Sequence, residues 1–251
     1  MENFEHKQAS VERIVGNASS ESKEAFFNTL ESASREQNVH NEMYREHEVE
    51  KTSEQIVLFD LALKSVNQLR VQRGMPPLDW TSDNLHIFKP FRIEEKGIPN
   101  HDGIFLTNEQ QVWIERSDLS NLGDIKKMTH ELLHAAGYNA LQSDYVPELD
   151  VNLINTYRSG LYMQERFNEE MRAEGRKPQA YFRNWNEAVI ESLTKQLCKE
   201  YKHPLLSQDR HDLESEIAAA LEYPRHERST RDELDDLAYV FGDVFFGGGN
   251  C

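Results

Sequence analysis

THELLHAAGY, residues 129–138, restricts the architecture more than any other stretch of the chain. It closes a run, SNLGDIKKMTHELLHAAGYN, in which Ile125, Met128, Leu132 and Ala136 recur at helical spacing. Asn121 stands where an N-cap belongs with Asp124 three residues on, and Gly137 stands where a helix stops. The spacing predicts a helix with one buried stripe. His130 and His134 are four apart, so they share one face of that helix, one turn along from each other. Two imidazoles so placed can converge on one ion, and Zn2+ accepts neutral imidazole nitrogen at about 2.0 to 2.1 Å. Glu131 points roughly 100° around the helix from His130. It cannot easily share the ion with both rings, but it can reach a water bound there. Two ligands and a general base are what H-E-x-x-H supplies.

A catalytic zinc takes three protein ligands and keeps a fourth position for water. The longer motif H-E-x-x-H-x-x-G-x-x-H would place its last histidine where this chain has Ala140. A carboxylate is the better candidate. RNWNEAVIESLTKQLCKEY predicts a second helix, capped by Asn184, with Ile190, Leu193 and Leu197 toward the core. Glu187 and Glu191 are four apart on one face of it. One can bind the ion while the other accepts a hydrogen bond from the free ring N–H of a ligand histidine, fixing its tautomer. Spacing alone does not say which carboxylate does which.

HELLH followed on a later helix by NEAVIE resembles the gluzincin zinc metallopeptidases, in which a thermolysin-type N-E-A-x-x-[DE] helix supplies the third ligand. The resemblance implies His130, His134 and Glu187 as zinc ligands, Glu131 as general base and Glu191 as the carboxylate that orients a ligand histidine. It implies a zincin-like α+β fold: a small antiparallel or mixed sheet packed on the HExxH helix, followed by a mostly helical C-terminal part. The implied activity is zinc-dependent hydrolysis of a peptide or protein substrate. The interval between the two motifs is longer than in thermolysin and closer to the lethal-factor-like branch, so Glu191 stays open as an alternative ligand. Gluzincins recruit a Tyr or His to stabilise the oxyanion; Tyr181 and Tyr157 are the candidates carried forward.

The remaining sequence supplies the frame. SEQIVLFDLALKSVNQLRVQRG carries Ile56, Phe59, Leu63 and Val66 at helical spacing and stops at Gly74, Pro76 and Pro77. LHIFKPFRI, GIFLT and QVWIER predict strands of a small antiparallel sheet, the last two separated by a turn at Asn108-Glu109. INTYRSGLYM and QAYF predict strands around a charged loop. DLESEIAAALEY and RDELDDLAYVF predict two further helices before the glycine-rich end. Trp113 and Trp185 are expected in core or hairpin packing, and Cys198 as a small buried residue. The expected organisation is an acidic helical or flexible arm over 1–51, lying outside the core, a metallopeptidase domain over 52–245, and a tail over 246–251.

With a formal net charge of -16, the chain lacks the clustered Lys and Arg that phosphate-backbone binding requires, so no nucleic-acid partner is expected. No apolar run approaches the roughly 18 residues of a membrane span, and residues 1–15 carry no secretory pattern. The two cysteines, Cys198 and Cys251, form no disulfide framework, which favours a cytoplasmic setting. The charged N-terminal helices are a candidate surface for a protein partner. They support the alternative expectation of a catalytically inactive zincin-like scaffold.

Overall fold

The computed structural model describes residues 10–33, 47–89, 103–107, 109–115, 121–166 and 168–206. The chain is α+β, with two mixed sheets. Helix α1 is Ser20–Ala33, α2 Ser53–Gln72, α3 Asn121–Ala136, α4 Glu169–Ala173 and α5 Arg183–Glu200. Among the described residues, no helix is long and apolar enough to cross a membrane.

Helix α2 starts at a reciprocal cap. Thr52 Oγ1 accepts the Gln55 N–H at 3.2 Å while Gln55 Oε1 accepts the Thr52 N–H at 3.0 Å, satisfying two donors that a helix start leaves open. It ends at Gly74, whose φ of 75 turns the chain back. Leu58, Phe59, Ala62, Leu63 and Val66 form its buried stripe and pack with Ile125, Met128, Leu132, Leu133 and Ala136 of α3. The stripe predicted for α3 is therefore the one that is buried.

Both helices cover one face of a four-stranded sheet built from β2 (Glu48–Val49), β3 (Leu85–Phe88), β4 (Gly103–Leu106) and β5 (Gln111–Glu115). Its order is β2-β3-β5-β4, with β3 parallel to β5 and the outer pairs antiparallel. A small antiparallel or mixed sheet was expected, and the mixed form is the one present. Burial separates its strands. All four residues of β3 and the first four of β5 are buried, while every residue of β4 is half-buried. The two more deeply buried strands take the centre, and β4, half-buried throughout, is left at the edge. Alternation then sends Leu85, Ile87, Val112 and Ile114 toward the helices. Phe88 and Trp113 stack on the opposite face with ring centroids 4.9 Å apart. Residues 90–93 of LHIFKPFRI and the predicted turn residue Asn108 lie outside the described residues.

The second sheet comprises β1 (Arg13–Val15), β6 (Asn139–Val146), β7 (Val151–Ser159), β8 (Tyr162–Gln164) and β9 (Ala180–Tyr181), in that order. The strands expected around Tyr157, Tyr162 and Tyr181 are present, and the charged loop between them contains α4. Strand β6 had no signal in the sequence, because its buried residues Asn139, Ala140, Leu141, Gln142 and Ser143 are mostly polar or small.

Strand β1 corrects the expectation of an arm outside the core. It pairs in parallel with β6, Ile14 opposite Leu141, and Phe27 and Leu30 of α1 close over that edge with Val11 and Ile14. A few apolar residues among acids are enough when a strand and one helix face share a sheet edge. The Glu12 carboxylate fastens the strand, accepting the Asn139 N–H at 2.7 Å and facing Arg70 Nη2 at 3.4 Å. Strand β2 also lies before residue 52, yet it belongs to the four-stranded sheet.

Two further details differ from expectation. Helix α5 begins two residues earlier than expected, after Phe182 in the left-handed region at φ 59 with no side-chain cap, so Asn184 is not its cap. Trp185, in the first turn of α5, is exposed, 47 %, and not packed in the core. Cys198 is half-buried against the main core. The helices predicted within 212–241 and the tail 246–251 lie outside the described residues.

Candidate metal centre

The core stripe of α3 fixes its rotation, and the rotation leaves His130 and His134 half-buried on the flank toward α5. Their ring centroids are 5.1 Å apart and meet edge to face. The C-terminal end of the helix is held firmly. Asn139 Nδ2 donates to the carbonyls of His134, Ala135 and Gly137 at 3.1, 3.2 and 3.0 Å, and Arg70 Nη1 donates to the Ala136 carbonyl at 2.6 Å. A helix end leaves its last carbonyls without partners, so these donors anchor the turn that carries His134.

Helix α5 is seated by Val189, Ile190 and Leu193 in the core. Buried Asn186 ties its first turn to the β7–β8 turn, Oδ1 accepting the Leu161 N–H at 2.9 Å. Beyond its last residue, Tyr201 shares a 2.8 Å hydrogen bond with Thr129 Oγ1, which joins the two helices one residue before His130. Glu187 therefore projects from a fixed turn toward the histidines.

One carboxylate oxygen faces both rings. Glu187 Oε2 is 3.5 Å from His130 Nε2 and 3.4 Å from His134 Nε2. Four tetrahedral ligands at zinc distances stand about 3.3 Å from one another. The two separations from Glu187 are close to that value, and all three donor atoms lie within 4.8 Å of one another. Glu191 occupies a different position. Its Oε2 is 3.6 Å from the other ring nitrogen of His130, Nδ1, and its Oε1 faces Lys126 at 3.3 Å and Lys195 at 3.2 Å. Glu187 reaches both histidines, whereas Glu191 reaches one of them from behind.

The electrostatics follow from that arrangement. Burial pulls the His130 imidazolium toward lower pKa, but the facing Glu187 and Glu191 carboxylates outweigh it and raise it to about 9. Burial pushes Glu187 upward, yet His130 and His134 together hold it well below the usual carboxylate range. Glu191 is pushed up by burial and pulled further down by His130, Lys126 and Lys195, to about 2. When its imidazole is protonated, His130 forms ion pairs with Glu187 and Glu191.

Glu131 is 7 % exposed and packs against the first residue of β4, Gly103. The two tyrosine candidates lie on strands of the second sheet. The Tyr181 hydroxyl donates to Gln179 Oε1 at 3.1 Å and its ring is exposed; Tyr157 falls at an irregularity of β7, between Thr156 and Arg158. No hydrogen bond joins either tyrosine to His130, His134 or Glu187 among the described residues. Several contributing residues escaped the sequence reading. Lys126 and Lys195 stand four from His130 and four from Glu191, a helical spacing that could have revealed them. Asn139, Arg70 and Gly103 had no such signal.

No family model, curated protein or solved structure matches this chain. Fold and site define an α+β chain in which two histidines and a glutamate from two helices could hold a metal ion.

Proposed function

We propose that this chain is a zinc-dependent metallopeptidase of zincin-like fold, with His130, His134 and Glu187 as ligands and Glu131 as general base. The observation that carries the reading is the convergence of one Glu187 oxygen on both Nε2 atoms, at separations within about 0.2 Å of a tetrahedral zinc site. Two imidazoles and one carboxylate form a donor set that zinc accepts while keeping a position for water. Zinc, when bound there, would supply a water whose pKa falls from 15.7 to about 7.

The chain's own residues account for the rest. His130 and His134 from one helix and Glu187 from the other would hold the ion, while Glu191 would orient His130 through Nδ1. Glu131, one residue along from His130, takes the proton of the water as it attacks the scissile carbonyl. It then passes that proton to the leaving amine. Strand β4, an edge strand among the described residues, lies beside Glu131 and offers backbone groups to an extended peptide.

Metal analysis of the purified protein, together with a mixed synthetic peptide library, tests the reading. Zinc is expected at one ion per chain, with cleavage by the wild type. Glu131→Gln is expected to retain zinc and lose cleavage. A variant that cleaves as fast as the wild type removes Glu131 from the role of base, and a protein that retains no zinc removes the whole reading.

A further inference from the structure

We infer that Gly103 is a positioning residue for Glu131: by presenting no side chain, it leaves the space in which that carboxylate is held beside the metal ligands. This rests on Glu131 being the general base. Glycine weakens a strand, so a glycine inside one calls for a reason. Backbone conformation is not the reason here. Gly16, Gly74, Gly160 and Gly175 all adopt positive φ, and Gly103 does not. The reason is steric. A Cβ at residue 103 would lie 2.9 Å from Glu131 Oε1, 3.0 Å from its Cγ and 3.3 Å from its Cδ. Carbon contacts are favourable at about 3.5 to 4.0 Å, so three atoms of one side chain would be overlapped at once.

What would give way is the glutamate. Gly103 is held in register opposite Ile114, a buried residue of the sheet centre. The α3 backbone is held by its core stripe and by Arg70 and Asn139 at its end. Glu131 is itself buried, so it can move only away from β4, which changes its distance to anything bound between His130 and His134. Relieving these contacts needs a shift of roughly 0.5 Å, and since about 1 Å of misplacement of a catalytic group can cost about 100-fold in rate, a loss of about tenfold is expected. The close approach of β4 thus fixes one side of the carboxylate's position, and the glycine is what makes that approach attainable.

A stability cycle and a kinetic measurement test the inference on the full chain. Glu131→Ala removes all three atoms that the new Cβ would meet. Gly103→Ala is therefore expected to lower Tm by on the order of 5 °C in the wild type and by little in the Glu131→Ala background. If Gly103→Ala fails to fold, the double variant is expected to fold. An equal loss in both backgrounds, or a double variant that also fails to fold, overturns the steric role. On peptides cleaved by the wild type, Gly103→Ala is expected to lower kcat by roughly tenfold with KM and zinc content unchanged. A variant with unchanged kcat overturns the positioning role even where the stability cycle supports the contact. If the wild type retains no zinc and cleaves nothing, the peptidase reading falls and the positioning role with it, while the stability cycle still decides whether the contact exists.

Discussion

Substituting each carboxylate of the pair separately, Glu187→Gln and Glu191→Gln, decides which of them is the ligand. Both changes keep side-chain volume and remove the charge. Glu187 Oε2 faces both histidines, at 3.5 and 3.4 Å, so its loss leaves two imidazoles and an uncharged amide around the ion. The expected fall in zinc affinity exceeds about 100-fold, the upper end for a residue that only supports a ligand. Glu191 meets His130 Nδ1 at 3.6 Å, long for a hydrogen bond, and shares its charge with Lys126 and Lys195 at 3.3 and 3.2 Å. Its removal is expected at the lower end of that range, about tenfold, or about 1.4 kcal/mol. The two variants should therefore differ by at least about tenfold. Competition against a chromophoric zinc chelator, at one pH and ionic strength, measures both. A larger loss for Glu191→Gln would move the third ligand to Glu191 and refute the geometric argument; equal losses would refute the distinction between the two roles.

The metal-stripped protein should show the ion pair in its pH dependence. His130, raised from 6.5 to about 9, contributes stability that is complete below pH 6.5 and lost as pH rises through about 9. Glu187, held below 4.5, contributes stability present above pH 4.5 and lost as pH falls. Tm in the presence of chelator should thus exceed that of Glu187→Gln most between pH 4.5 and 6.5, and a gap that widens from pH 6.5 to 9 would contradict this. Asn139→Ala leaves two α3 carbonyls and that of Gly137 just beyond the helix without their shared donor and should cost about 1 to 3 kcal/mol, read as a Tm lower by roughly 2 to 12 °C; an unchanged Tm would show that the anchor contributes nothing. Phe182→Gly should stabilise by about 1 kcal/mol, because φ is 59 and the ring is largely exposed. Chemical denaturation measures it, and destabilisation would mean that the ring's packing outweighs the backbone strain.

The local elements were legible because helical and strand periodicities are short-range. Ile125, Met128, Leu132 and Ala136 mark a buried stripe whatever the helix packs against, and that stripe places His130 and His134 on a common flank. GIFL and QVWIE are likewise recognisable as strands from their own residues. What stayed illegible were the elements whose burial is polar or whose partner is distant in the chain. NALQSDYV has no alternation to read, and Arg13–Val15 becomes a strand only because β6, more than 120 residues later, presents an edge to it. The Trp185 expectation failed for a related reason: a large apolar residue near a helix start can face outward when smaller ones, Val189 and Ile190, fill the contact.

By itself, then, the sequence determined that four candidate metal-binding side chains lie as two i,i+4 pairs on two helices, because the 3.6-residue repeat is built into any helix. The choice between Glu187 and Glu191 belongs to the tertiary structure. It depends on how far α5 is rotated and slid along α3, which is settled by Val189, Ile190 and Leu193 in the core, Asn186 on Leu161 and Tyr201 on Thr129. The same holds for the place of Glu131 against β4, which exists only once a strand lacking a side chain at Gly103 packs beside the helix. Spacing along one helix is local; the angle between two helices is a property of the whole packed core.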